Sequence, residues 1–415
     1  MLDYTISRRS LLGGAGALGA LALLQACAPA VSGGSSTKTV TAWGNHPEWQ
    51  GVLEKLTGVF QESHSSTVVD WQFKPNATYQ AAVNTALSGG QAPDVFGWLE
   101  GPSIRQGAAD GLIMDLTGKI DVDNLIDPAR AQVEFDGKVW GCPLGAYTVG
   151  VFYQRDVFDD NGIDIPTTWD ELTEASEKIA ATGLTPWAMP AKDMILPYFF
   201  TMLSTSSVLG SAGFEELLAG DRKFTDPDMV AGLQLMKDLQ PYFNEGFEAQ
   251  SYAEGKAAFA QGRAAMIIGG SADFAGYQET NPDVNVGVFG FPSPDGGQAV
   301  TTSGMDLNYT VWADSPNAEA AAEFIGWFVS EECQQIVADE LSIPIRKGVA
   351  PLGDTETARI AREMVAAGEP NIPLLLDTIE GGGTLGAVAE SSGIFSGGVT
   401  IEQLAEALQN SMTTS

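Results

Sequence analysis

Thr39-Val-Thr-Ala-Trp43, Val68-Val-Asp-Trp-Gln-Phe73 and Asp94-Val-Phe-Gly-Trp98 are short runs rich in β-branched and aromatic residues, and each run predicts a strand. Between the first two runs, apolar residues recur at helical spacing from Val52 to Phe60. Tyr79–Leu87 predicts a second helix, which a serine and two glycines end. This alternation of strands and helices predicts a parallel sheet with helical crossovers.

The same alternation returns farther along the chain. Thr168-Trp-Asp-Glu171 has the spacing of a capping box and predicts a helix that ends near Ala181. Ser315-Pro316 and Thr400-Ile-Glu-Gln403 predict the starts of two further helices. Apolar strand candidates lie at Pro186–Met189, Ala264–Ile268 and Val284–Phe289. The predicted fold class is therefore α/β, arranged as two lobes.

Length and charge agree with this fold and exclude other classes of protein. The 415 residues suffice for two domains of ordinary size, and 44% of them are hydrophobic. Lys and Arg number 21 against 53 Asp and Glu, which gives a net charge of -32. Because so acidic a surface repels phosphate backbones, the sequence predicts no nucleic-acid partner. The same repulsion opposes an electrostatic attachment to anionic lipid.

The rarer residues limit the possible chemistry further. Only two histidines are present, so the sequence predicts no histidine-rich metal site and no cofactor. Cys142 and Cys333 are far apart in the sequence, and they either form a disulfide or remain buried thiols. The chain has no phosphate-binding loop of the G-x-x-x-x-G-K-[ST] type, so it is not an ATPase.

The N-terminal segment has the features of an export signal. Ser7-Arg-Arg-Ser-Leu-Leu12 contains a twin-arginine pair, and the apolar run Leu11–Leu24 is shorter than the roughly 20 residues that span a bilayer. The run leads to Cys27, in a context that resembles a lipobox. We therefore expect a signal peptide at 1–26, lipidation at Cys27, and a flexible tether at 27–37. The expected location is extracytoplasmic, on the outer face of the cytoplasmic membrane, at the cell surface or in a periplasm.

Several later segments resemble, in the same order, those of bacterial extracellular solute-binding proteins of the carbohydrate type (family 1, the substrate-binding lipoproteins of ABC sugar transporters). The segments are Gly137-Lys-Val-Trp-Gly-Cys-Pro-Leu144, Gly150-Val-Phe-Tyr-Gln-Arg-Asp156, Pro166-Thr-Thr-Trp-Asp-Glu-Leu172, Phe259–Gly269, Asn317–Ile325 and Ile343-Pro-Ile-Arg346. Gln154 and Arg155 depart from the family pattern, which has Asn and Lys at these positions.

The resemblance implies a fold like that of type II periplasmic binding proteins, with two discontinuous lobes joined by hinge crossovers. Lobe one is expected at 38–145 plus 291–343, and lobe two at 147–287 plus 346–415. The crossovers are expected near Gly145–Thr148, Gly287–Phe291 and Ile343–Arg346. The implied function is non-enzymatic: a monomer captures a sugar or oligosaccharide by hinge closure and delivers it to an ABC permease with a separate ATPase.

The candidate ligand-binding residues lie at the expected strand ends and crossovers. Ligands of α/β sheets bind at the carboxyl ends of strands. Sugars need aromatic faces together with carboxylates or amides that bond their hydroxyls. The candidates are Trp43, Asn45, His46, Glu48, Trp98, Glu100, Tyr147, Asp193, Asp273, Phe274, Asp306 and Arg346.

Two alternatives remain open at this point. The same scaffold binds other small solutes, such as a polyamine, for which the acidic composition is suited, or a phosphate-bearing solute, for which basic residues are few. The other alternative is a secreted glycoside hydrolase that uses two carboxylates about 5–9 Å apart. Neither histidine lies near a G-x-S-x-G motif, so no Ser-His-Asp arrangement is predicted.

Overall fold

The computed structural model describes residues 37–74, 76–98, 101–193, 195–341, 343–353, 355–367, 369–373 and 392–412. The expected signal peptide, Cys27, residues 28–36 of the expected tether, and Glu100 lie outside these ranges. Within them, no helix is both long and apolar enough to cross a membrane.

Strands and helices alternate through most of the chain. The strands are β1 (Lys38–Gly44), β2 (Thr67–Phe73), β3 (Val95–Trp98), β4 (Glu134–Phe135), β5 (Lys138–Val139), β6 (Cys142–Pro143), β7 (Ala146–Gln154), β8 (Thr185–Trp187), β9 (Ala264–Gly270), β10 (Val286–Phe289), β11 (Val300–Met305), β12 (Asn308–Val311) and β13 (Glu369–Pro373). The helices are α1 (Gln50–Ser63), α2 (Asn76–Ser88), α3 (Gly101–Ala109), α4 (Asp127–Val133), α5 (Arg155–Asp160), α6 (Trp169–Ala181), α7 (Ile195–Ala219, with non-helical backbone at Gly210), α8 (Pro227–Asp238), α9 (Tyr252–Ala260), α10 (Asp273–Thr280), α11 (Ala318–Trp327), α12 (Glu331–Glu340), α13 (Glu356–Ala366), α14 (Gly393–Ser396) and α15 (Ile401–Met412).

The first large sheet has the strand order β2-β1-β3-β12-β6. β1 runs parallel to β2 and β3, and β12 returns antiparallel to β3. The predicted order of strands and helices over Thr39–Trp98 is therefore confirmed. The core of this half contains the fully buried rings of Phe60, Phe96 and Tyr309.

The second large sheet has the order β13-β11-β7-β9-β8, and β10 also pairs with β7. β8 and β9 run parallel, while β7 runs antiparallel to both β9 and β11. The helices packed on this sheet bury a separate core that includes Phe152, Trp187 and Phe200. The α/β class predicted from the sequence is confirmed in both halves.

The chain passes between the two sheets at closely paired segments. Gly145 and Tyr147 flank Ala146, which pairs with Met305 on one side and with Ile343 on the other. The predicted crossover at Gly287–Phe291 is wrong. β10 and β11 both pair with β7, and Phe291 and Val300 lie in the second core. The chain returns to the first sheet only after Met305, so residues 291–305 belong with the second sheet.

Candidate functional site

Polar and aromatic residues gather where the ends of the two sheets meet. In the first sheet, β1 and β3 end beside the start of β12. In the second sheet, β9 and β11 end beside the start of β7. The segments before β7 and between β11 and β12 join these two edges, because the Asp306 backbone N–H donates to the Gly145 carbonyl at 3.0 Å.

Asp306 is the most buried acidic candidate at this junction, with 2% of its surface exposed. Its Oδ1 lies 3.5 Å from Nε2 of His46. Its Oδ2 is buried and has no hydrogen-bond partner among the residues that the structure describes. Burial raises the pKa of Tyr79 and of Tyr309, and the nearby Asp306 carboxylate raises both further. Asp306 thus brings negative charge into an apolar, aromatic surrounding.

His46 follows β1, and the packing of its ring restrains its orientation. The ring stacks on the Trp49 indole with 4.3 Å between centroids and an interplanar angle of 21°. Trp49 belongs to a short 3-10 turn, Pro47–Trp49, which begins directly after His46. Asn45, between His46 and the strand, is 1% exposed. His46 and Asp306 therefore lie in contact, and the buried Asn45 precedes His46 in the chain.

The two tryptophans predicted as stacking surfaces differ in their environments. Trp43 is half-buried, and the Lys74 ammonium lies 4.5 Å from its ring centroid. Trp98 is only 3% exposed and packs edge-on against Phe96. A Cβ at Gly107 would lie 2.4 Å from the Trp98 ring, so this ring fills the space that the glycine leaves. Trp98 is a core residue, whereas Trp43 is partly exposed.

Asp273, on the second-sheet side, has its hydrogen-bonding capacity largely used. It begins α10 directly after β9 and accepts a 2.7 Å bond from the Gly270 backbone N–H. Lys256 donates to its Oδ1 at 3.0 Å, and the Tyr252 hydroxyl donates to its Oδ2. Both donors lie one turn apart on α9, which begins with a capping box formed by Ser251 and Glu254. This network fixes α9 against α10.

The remaining predicted residues contribute in different ways. Tyr147 is half-buried at the start of β7, opposite Gly304, and so lies at the junction. Phe274 is completely buried in the second core and cannot face a ligand.

Asp193 is exposed and accepts a 2.8 Å bond from the Tyr252 backbone N–H. Arg346 donates to the Val329 carbonyl at 2.8 Å. Glu48 lies in the 3-10 turn, and its side chain is not described.

Cys142 and Cys333 are free and fully buried. Burial raises the pKa of each thiol far above its usual range. Of the two possibilities that the sequence leaves open, the structure therefore has buried thiols. Among the described residues, no group of three or more His, Cys, Asp or Glu side chains is arranged to hold a metal ion.

The sequence from residue 55 to residue 362 matches the family model described as bacterial extracellular solute-binding protein. The chain belongs to this family. The multiple sugar-binding protein of Streptococcus mutans is 24% identical over 341 residues, which cover 79% of this chain and 80% of that protein. The melibiose/raffinose/stachyose-binding protein of Bacillus subtilis is 23% identical over 337 residues and covers 75% of each chain.

Solved structures of binding proteins share the fold. One is described as the binding protein RafE in complex with raffinose; it has a TM-score of 0.76 and 22% identity over 91% of this chain and 100% of that one. A chitin oligosaccharide binding protein has a TM-score of 0.77 and 23% identity, over 91% of this chain and 98% of that one. These likenesses confirm the predicted fold, and the curated relatives are binding proteins.

Some residues of this solute-binding protein enter the site without having been predicted. Tyr252 and Lys256 reach Asp273 from a helix that is distant in sequence. Asn308 is fully buried beside Trp98 in the β12–β3 register and donates to Gln132 at 2.8 Å. A signal for Asn308 was available in the sequence, because it follows the predicted binding residue Asp306 by two positions.

Proposed function

We propose that this protein captures a sugar or oligosaccharide between its two sheets and delivers it to an ABC permease that a separate ATPase drives. The observation that carries the proposal is the buried Asp306 carboxylate, whose Oδ2 lacks a hydrogen-bond partner among the described residues at the junction of the two halves. The names of the sugar-binding relatives support the class of ligand.

The chemistry of Asp306 fits a polyhydroxy ligand. A buried carboxylate oxygen without a partner costs free energy, and an O–H donor from a ligand would recover it. One sugar hydroxyl at Oδ2 supplies that donor and adds no net charge. The half-exposed face of Trp43 and the ring of Tyr147 offer the apolar surfaces against which the C–H side of a sugar ring packs.

Two lobes and three crossovers complete the proposal. We place lobe one at residues 38–145 and 306–343 and lobe two at 147–305 and 346–415; the strand pairing supports a second crossover at Met305–Asp306. A ligand that touches Asp306 from one side and Tyr147 from the other binds best when the lobes are closed. The protein acts as a monomer and is attached by lipid at Cys27 to the outer face of the membrane.

A thermal-shift panel on the chain without its signal peptide tests the proposal. The panel contains melibiose, raffinose, stachyose, maltotriose and chitin oligosaccharides, with spermidine and glycerophosphocholine as the other solute classes. A sugar at 100 times its Kd adds about 2.7 kcal/mol to the free energy of unfolding and raises Tm clearly.

The same samples distinguish the alternatives. Recovery of the unchanged sugar after incubation supports binding without catalysis, whereas release of sugar from a chromogenic glycoside would indicate a hydrolase. A shift with spermidine alone would overturn the carbohydrate proposal and retain the binding scaffold.

A further inference from the structure

The three crossovers form one small hydrogen-bonded ribbon. Ala146 lies in its middle: its N–H donates to the Ile343 carbonyl at 2.8 Å, and its carbonyl accepts from the Ile343 N–H at 3.0 Å. On the other side, Ala146 is the register partner of Met305. Any rotation of one half against the other must bend these segments together.

Gln334 holds the ribbon where it leaves the first half. It lies on α12 and is completely buried. Its Nε2 donates to the carbonyls of Leu144 at 2.9 Å and Phe328 at 2.8 Å, and its Oε1 accepts from the Ile345 N–H at 2.7 Å. Leu144 immediately precedes the first crossover, and Ile345 belongs to the third. One side-chain amide therefore ties two crossovers to one helix.

A second set of polar contacts holds the ribbon on the other side. Thr148 is the last residue of the first crossover, and its hydroxyl lies 3.1 Å from that of Ser303 on β11. The Thr148 N–H donates to the Ser271 hydroxyl at 3.3 Å, and the Ser271 N–H donates to the Thr148 carbonyl at 2.9 Å. The residues between the two sets of contacts are Gly145–Tyr147. Gly304–Asp306 is joined to them by the pairing of Gly304 with Tyr147 and of Met305 with Ala146, and by the Asp306 N–H bond to the Gly145 carbonyl.

We propose that Gln334 is the positioning residue of the hinge: its amide fixes the points at which the first and third crossovers leave lobe one, and so confines bending to Gly145–Tyr147 and Gly304–Asp306. The inference rests on the proposed closure of the two lobes. Asp306 lies within the bending segment and is bonded through its backbone N–H to Gly145. A ligand bound to the Asp306 carboxylate therefore acts directly on the geometry that Gln334 holds.

Amide hydrogen exchange of the ligand-free protein tests the role of Gln334 without requiring a ligand. Gln334→Leu nearly preserves the volume of the side chain but replaces its amide with an apolar group. The Leu144 and Phe328 carbonyls and the Ile345 N–H then lose the hydrogen bonds that Gln334 makes. We expect exchange at Ala146, Ile343 and Asp306 to accelerate about tenfold, as the loss of buried hydrogen bonds predicts. Exchange in β1 and β2 stays at the wild-type rate.

Gln154→Leu is the matched control. Gln154 is also buried, and its Nε2 donates to the Phe259 carbonyl at 2.6 Å, at the far end of β7 from the crossovers. This variant loses a buried side-chain bond but leaves exchange at Ala146, Ile343 and Asp306 unchanged. If Gln334→Leu fails to fold, Gln334→Asn replaces it, because the shorter amide cannot reach all three partners.

Two outcomes overturn the inference. In one, amide exchange at the crossovers of the Gln334 variant stays at the wild-type rate; in the other, exchange accelerates equally throughout the first sheet. Raffinose provides a separate readout. With it, we expect the Gln334 variant to release the sugar faster than wild type and the Gln154 variant to release it at the wild-type rate. If raffinose and the other panel sugars do not bind the wild-type protein, the proposed function fails, and the exchange data still decide the role of Gln334.

Discussion

Asp306 and Asp273 lie at the same junction, and their carboxylates are in opposite hydrogen-bonding states. Asp273 receives donors from a backbone N–H, from Lys256 and from Tyr252. Asp306 is more deeply buried, with 3% of its side chain exposed against 12% for Asp273, yet its contact among the described side chains is His46 at 3.5 Å. A carboxylate whose donors come from the fold has a structural role, whereas one with an unused buried oxygen is suited to binding.

The same distinction separates the two tryptophans. Trp98 has its ring surface occupied by Phe96 and the Gly107 backbone, whereas Trp43 keeps part of its ring accessible. Within each pair the residue type is the same, and each of the four residues lies at or close to the end of a strand. We therefore expect the binding residues to be those whose hydrogen-bonding capacity or ring surface the fold leaves unused.

Asp306→Asn should weaken sugar binding strongly. The amide preserves size and one acceptor oxygen but removes the charge, so a charge-assisted bond from a sugar hydroxyl is lost. We expect the affinity for the panel sugar with the largest thermal shift to fall about 10- to 100-fold. The free energy of unfolding should not decrease, because the neutral side chain costs less to bury than an unpaired carboxylate. Isothermal titration calorimetry and urea unfolding measure the two effects.

Asp314→Asn is the control for that variant, because Asp314 is an exposed acid that follows β12 and the change removes the same charge. Asp314→Asn should leave the sugar affinity and the free energy of unfolding near their wild-type values. Unchanged sugar affinity in Asp306→Asn would remove Asp306 from the binding site and with it the main support for the proposed location.

Local patterns predicted the elements of the fold well. Thr168 caps α6 and Glu171 bonds back to Thr167, so the helix runs from Trp169 to Ala181 as the capping box predicts. Thr400 and Gln403 form the reciprocal bonds expected at the start of α15. These features depend on residues three or four apart, and the information is therefore present in a short window of sequence.

Features that depend on distant partners were not predictable in this way. Ser315 was expected to cap a helix, but its hydroxyl donates to Asp94 and the helix begins two residues later, after Asn317. The second crossover was placed too early because the pairing of β11 (Val300–Met305) with β7, about 150 residues earlier in the chain, has no signal in the local sequence. The engagement of Asp273 by α9 likewise requires the tertiary fold.

Asp273→Asn should affect stability more than binding. The amide loses the ion pair with Lys256 and weakens the bond from Tyr252, so we expect the free energy of unfolding to fall by about 1–3 kcal/mol. Urea unfolding measures this change, and a double-mutant cycle with Lys256→Met isolates the coupling between the two side chains. A variant that folds as stably as wild type but no longer binds sugar would show that Asp273 is a ligand-binding residue.

Glu254→Gln gives the smallest effect and tests how α9 is held in place. Bonds from the Ser251 hydroxyl and backbone N–H hold the pKa of Glu254 below its ordinary value of 4.5. A carboxyl group whose pKa is lower in the folded state stabilises the fold at pH values above its ordinary pKa. This stabilisation is lost as the pH falls through the pKa of the folded state. Gln also accepts the capping bonds but does not titrate in this range. We therefore expect the free energy of unfolding of Glu254→Gln to lie below that of wild type at pH 7, and the difference between the two proteins to shrink at pH 4 and pH 3. A difference that stays constant with pH would mean that α9 depends on the shape of the cap and not on its charge.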